Sequence, residues 1–167
     1  MKGSDTKLPR INAAKRLGYA LVALLAGDGM LLFFLLQHAF HATLLAGEPA
    51  RMIPDAVQTF LLYAIFSFVG WLFVGLPAVL LFPAGSITRL SWPLALTVGG
   101  TLGPLALLVI FVLLGRSHIY FRNIAEISTL LAYTILVSTI SFMVYLALLR
   151  EAMKSNSTRS RRFSHPT

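Results

Sequence analysis

Four stretches of this chain stay apolar for about 20 residues or more, the length a helix needs to cross a bilayer core, and that feature leaves few folds open. They cover residues 17–37, with an apolar continuation to Leu45, then 57–82, 93–115 and 127–149. Each is apolar around its whole circumference, the mark of a span and not of a helix lying on a core. The runs are continuous, without the polar–apolar alternation of barrel strands. The expected fold is an all-α polytopic integral membrane protein, a four-transmembrane-helix antiparallel bundle.

The breaks between the runs agree with that reading. Gly47, Glu48, Pro49 and Pro54 separate the first two; Pro83, Gly85, Arg89 and Pro93 the next; and residues 115–126 the last pair. Connections this short make consecutive helices antiparallel neighbours. No internal repeat is visible, so an inverted-repeat transporter core is not expected. The chain divides into a basic N-terminal tail (1–16), a transmembrane domain (17–149) and a basic, disordered C-terminal tail (150–167).

Charge gives an orientation. Lys2, Lys7, Arg10, Lys15, Arg16, Arg89, Arg150, Lys154, Arg159, Arg161 and Arg162 fall on one side of such a bundle. Arg51, Arg116 and Arg122 fall on the other. Positive residues remain cytoplasmic, so both termini are expected inside, as an even number of spans requires. The setting is the cell (inner or plasma) membrane, with the first helix an uncleaved span: its apolar run exceeds a signal core and no small-x-small cleavage site follows.

Only 12% of residues are charged, about half the soluble average. The chain has no Cys, which excludes thiol redox chemistry and thiolate metal sites. The net charge of +8 sits in the tails, where anionic lipid headgroups, not nucleic acid, are the expected partner.

Asp28 is the residue to explain. Near the centre of the first span an ionised carboxylate costs several kcal/mol, so it is expected to be protonated, paired or facing water. It serves as a proton or cation site, as neutral packing glue, or, if the span shifts outward to begin at Gly29, as that helix's cap. Matching span midpoints sets Ser67, Thr101 and Ser138 at the depth of Asp28, as a candidate ion, proton or intramembrane polar-contact layer. Thr134, Ser138, Ser141 and Tyr145 share a face of the fourth span, expected to turn inward, although such hydroxyls commonly bond to their own helix. Gly99 and Gly103 form a G-x-x-x-G for close helix packing, while Pro77 and Pro104 are expected to kink their helices.

His38 and His41, three apart, and His118 in an outer loop are the sole metal candidates, without any ligand-spacing motif. No hydrolase elbow, P-loop or dinucleotide fingerprint is present. No catalytic residue and no cofactor is assigned. The first functional expectation is a non-enzymatic accessory or assembly subunit packing through its glycine faces, as a homo-oligomer or in a larger membrane complex. The second is a small oligomeric transporter or ion-coupled permease using Asp28. The third is a membrane enzyme or metal site at the outer histidines.

Overall fold

The computed structural model describes residues 11–46, 49–113 and 124–163, and the regular structure in them is helical throughout. Helix α1 spans Ala13–Ala46 and α2 spans Pro49–Gly70; a π-helical turn, Trp71–Gly75, leads into α3, Leu76–Leu81. Short α4, Ala84–Thr88, precedes α5, Trp92–Leu113, and α6 runs Ile124–Phe163. Four segments are long and apolar enough to cross a membrane: Ala13–Leu44, Ile53–Leu81, Trp92–Ile110 and Ile127–Ser155. Large side chains such as Leu25, Phe33, Ile65 and Leu108 point outward. A surface that apolar suits lipid, and in water it would aggregate.

Local chemistry sets the boundaries. The Asn12 side chain accepts a hydrogen bond from the Ala14 N–H (3.3 Å), satisfying a first-turn donor of α1. Phe82 is extended (φ −84°, ψ 126°) because the Pro83 ring disfavours helical backbone at the preceding residue. Pro77 would clash with the carbonyl four residues earlier in a regular α-helix. The chain meets this with the π-turn, in which the Leu76 N–H donates to the Trp71 carbonyl, so the expected kink takes the form of a widened turn. The helix continues through Pro104, whose missing N–H leaves the Gly100 carbonyl without its helical donor.

The fourth long helix differs from expectation at its end. It continues past Leu149 to Phe163, where a disordered tail was expected from Arg150. Residues 150–163 contain neither Gly nor Pro, so nothing in the backbone stops a helix already nucleated by 20 packed residues or so. The N-terminal tail up to Arg10 lies outside the described residues, as do Gly47, Glu48, residues 114–123 and 164–167.

Helix α6 packs along both α1 and α5, and α1 packs on α2. Glycine sets the closeness of these contacts. A methyl at Gly103 would lie 2.4 Å from the Thr134 carbonyl oxygen, and one at Gly99 3.0 Å from the Thr139 Cα. At Gly27 it would lie 2.2 Å from the Ser141 hydroxyl and 2.7 Å from the Val137 carbonyl oxygen. The G-x-x-x-G of α5 is therefore filled by α6 of the same chain.

Two apolar clusters form the core. One joins Ala20, Ala23, Val79, Ala95, Leu146 and Leu149; the other joins Leu31, Leu35, Ala39, Ala56, Tyr63 and Val137. In register along the helices, Asp28 on α1, Ser67 on α2 and Ser141 on α6 fall between them.

At the end where α1 begins, two arginines hold the connection from α3 to α5. Arg16 donates to the carbonyls of Val79 and Phe82, closing the C-terminus of α3. Arg150 donates to the carbonyls of Thr88 (3.3 Å) and Leu90, and its guanidinium lies 4.6 Å over the Trp92 ring. Cations there satisfy carbonyls that the short helices leave unpaired.

Candidate functional site

Helix α1 runs unbroken through Asp28, which removes the reading of Asp28 as a helix cap. The residue is 8% exposed, the buried charged residue among those described. Ser67 on α2 stands beside the carboxyl, while Oδ1 has no partner among the described residues. Tyr63, one turn from Ser67, is within electrostatic range of Asp28 and beside Thr134. Its ring meets Tyr133 edge-on, centroids 6.1 Å apart. Its hydroxyl is buried without a well-formed hydrogen bond.

Of the four residues matched by depth, the structure brings Asp28 and Ser67 together and leaves the other two aside. Thr101 is exposed on α5 and donates to its own Val98 carbonyl (3.0 Å). Ser138 donates to the Ile135 carbonyl (3.2 Å) and packs at Gly103. The residue of α6 at this level is Ser141, against Gly27. Midpoint matching misses it by three residues, about 4.5 Å along a helix, because the Gly27 contact and not span length fixes how α6 slides on α1.

A cavity of about 410 Å³ opens beside this group, between α1, the α2–α3 segment, α5 and α6. That is within the size range of small-molecule sites. It extends from Ile87 and Leu90 at the arginine-held end to Ile110 and Leu130 at the other. On α5 alone, from Val98 to Ile110, this is about 18 Å of helix. Its walls include Val74 and Ala78 on the α2–α3 segment and Val98 and Leu102 on α5, while Gly70 meets Ala106, where a methyl would lie 3.0 Å from the Ala106 Cβ. Trp71, in the π-turn, lies on the wall, stacked with Phe68 at 6.0 Å. Among the described residues no charged side chain lines the cavity; Asp28 stands behind Tyr63 and Ser67, which do.

The hydroxyl stripe of α6 turns inward as its spacing indicates, for Thr134, Ser138, Ser141 and Tyr145 all line the cavity. Its members divide. Thr134 and Ser138 donate to carbonyls of their own helix, Leu130 and Ile135. The Ser141 and Tyr145 hydroxyls are buried with no partner among the described residues. Such a group forfeits about 1–3 kcal/mol unless something completes its hydrogen bonds.

The histidines do not converge. His38 and His41 are exposed on α1, and His118 lies outside the described residues. Among the described residues no group of three or more His, Cys, Asp or Glu is placed to hold a metal. What sequence reasoning missed is the cavity, the roles of Tyr63 and Ser141, and the two arginine contacts. Tyr63 carried a signal, since it stands four residues before Ser67 and so shares its face. Comparison with known proteins finds no matching family model, no matching curated protein and no matching solved structure.

Proposed function

We propose that this chain is a membrane-embedded binding protein for a small lipophilic molecule. One observation carries the reading: a cavity of about 410 Å³ with almost wholly apolar walls opens between α1, the α2–α3 segment, α5 and α6. Native mass spectrometry from mild detergent tests it. The expected result is a non-protein mass held at one per chain, and its loss in Val98→Phe and Ala78→Phe, which fill the cavity. Protein free of such a mass, recovered instead in a fixed ratio with another polypeptide, overturns the reading in favour of an assembly subunit. The glycine faces do not favour the assembly role, because Gly27, Gly99 and Gly103 are already occupied within the chain.

A second reading, an ion-coupled permease, is favoured by the unpartnered Asp28 oxygen behind the cavity wall. It predicts that Asp28→Asn, which keeps shape and the Ser67 contact, abolishes proton movement coupled to ligand in proteoliposomes while leaving ligand binding intact.

For orientation we infer both ends cytoplasmic, with the basic termini on anionic headgroups. The chain has no native Cys, so single cysteines at Ser4 and Ser157 report side unambiguously. Both are expected to resist a membrane-impermeant maleimide in right-side-out vesicles.

A further inference from the structure

We infer that the cavity takes one acyl chain of an anionic membrane phospholipid, whose phosphate lies at the cavity mouth among Arg16, Arg89 and Arg150. The inference rests on the binding reading above and names its ligand class.

Three features carry it. The first is where the charge stands. None of the described wall residues is charged, yet cations rim the end of the cavity at Phe82, Ile87 and Leu90. Arg16 donates to the carbonyls of Val79 and Phe82, and Arg150 to that of Leu90. All three acceptors belong to residues that line the cavity. Arg89, exposed, stands between Thr88 and Leu90 in the same connection. A guanidinium donates from three nitrogens; the bonds of Arg16 use one of them and those of Arg150 use two. Among the described residues Glu151 alone supplies a negative charge near this end. Topology asks that positive charge lie on this side of the membrane, but not that it be fastened to the cavity mouth.

The second is the contrast along the cavity. At the mouth Ser86 is an exposed lining residue, and its hydroxyl adds a donor for a head-group oxygen. Beyond the mouth the α5 wall runs from Val98 past Leu102, Ala106 and Leu107 to Ile110 with no polar side chain. An ion drawn into that stretch would lie unpaired in an apolar enclosure, which is strongly disfavoured. An amphiphile meets both halves, its anionic head at the rim and its hydrocarbon within, and arginine forks match phosphate oxygens.

The third is shape. The α5 wall, Val98 to Ile110, is about 18 Å long, close to the depth of one leaflet of the hydrocarbon core, about 15 Å. That is the reach of one acyl chain and more than a compact solute needs. The lining residues Phe66, Val74, Val98 and Leu102 are half-buried, so the space opens sideways between the α2–α3 segment and α5. A sideways opening admits one chain while the second stays in the bilayer.

Trp71 on the wall gives the assay. Trp92→Phe leaves it the single tryptophan of the chain and keeps an aromatic ring under Arg150. Diacyl probes with identical brominated chains, bearing a phosphoglycerol head, a trimethylammonium head or the bare glycerol hydroxyl, are titrated into the protein in detergent, and Trp71 quenching reads chain occupancy. The phosphoglycerol lipid is expected to quench saturably, about tenfold more tightly than diacylglycerol. Arg89→Gln should take back about three- to fivefold of that, the range of one exposed ion pair, and leave diacylglycerol unchanged. Val98→Phe and Ala78→Phe should each abolish saturable quenching. Equal affinity for the anionic and uncharged probes, or preference for the cationic one, overturns the ligand class while leaving the binding reading in place. Anionic quenching that survives both cavity-filling variants puts the lipid on the outer surface and overturns the inference and the binding reading together, as does the absence of saturable quenching by every probe.

Discussion

The two sides of the bundle are built from similar residues to opposite ends. Where α6 meets α1 and α5, glycines at 27, 99 and 103 let backbone approach backbone, and the groove is filled by carbonyls and side chains of α6. Where the α2–α3 segment faces α5, the two touch at Gly70, where a methyl would lie 3.0 Å from the Ala106 Cβ, and beyond that contact Val74, Ala78, Val98 and Leu102 line a cavity. Small residues therefore do not by themselves mean close packing. On the first side each glycine is met by a partner helix at contact distance. On the second, Gly70 and Ala106 touch, and past the π-turn ahead of Pro77, which changes the direction in which successive residues point, the walls stand apart.

The sharpest way to break this division is to enlarge a glycine on the packed side. Gly103→Leu should have the largest effect, because even its Cβ would stand 2.4 Å from the Thr134 carbonyl oxygen, which is backbone and cannot rotate away. Helices α5 and α6 must separate, at a cost of about 3 kcal/mol or more, the upper end for overpacking. A steep fall in thermal midpoint in detergent, with little folded protein recovered, is expected. If Gly103→Leu folds normally and only loses a partner polypeptide, the glycine face is an intermolecular one and the assembly reading returns.

Arg16→Ala and Arg150→Ala come next. Each strips two carbonyls of a charged donor at the α3–α5 connection. Hydrogen bonds to charged groups contribute about 1.5–3 kcal/mol when buried, and partial exposure here lowers the expectation to about 1–2 kcal/mol. Loss of Arg150 also removes the contact over Trp92. A shift of Trp92 emission accompanying destabilisation would identify it, and Arg150→Lys should recover the charge without the fork that reaches both carbonyls.

These effects also mark what could be read from sequence. The four spans were legible because twenty-residue apolar runs have one common explanation, and the inward stripe of α6 was legible because 3.6-residue periodicity is local. The pairing of Asp28 with Ser67 followed from antiparallel geometry between neighbours in sequence. The level of α6 did not, since helices distant in the chain slide until knobs meet gaps. That offset is set by the Gly27–Ser141 contact, which no span length encodes. The cavity was illegible for a related reason: it is a property of facing walls, and Gly103 looks alike in sequence whether a carbonyl or a void lies opposite. The end of α6 was misjudged because polar, basic composition suggests disorder, whereas a helix already anchored propagates through residues that would not start one.

Filling the cavity should separate binding from stability. Val98→Phe and Ala78→Phe place apolar atoms into a space with apolar walls, so folding free energy should change by no more than about 1.5 kcal/mol, the range for tolerated core changes. Ligand retention should be lost. A thermal midpoint that falls as far as in Gly103→Leu would mean that the space is closed in solution and that the two sides do not differ.

The smallest expected effect is the most discriminating about glycine. Gly29 lies one residue beyond Asp28, yet a methyl there would meet nothing within 4 Å, while at Gly27, one residue before it, the same methyl would strike Ser141 and Val137. Gly29→Ala should therefore be neutral or raise stability by about 0.5–1 kcal/mol, the helix-propensity gain of alanine over glycine. Gly27→Ala should lower it, by about 1–3 kcal/mol. Opposite signs for two glycines flanking the same aspartate are what a single close face of α1 requires. Equal losses at both positions, by contrast, would mean that α1 is gripped on two sides, by α6 and by a second surface such as another copy of the chain. The pair thus turns a stability measurement into a test of whether the exposed face of α1 at Gly29 meets lipid or protein.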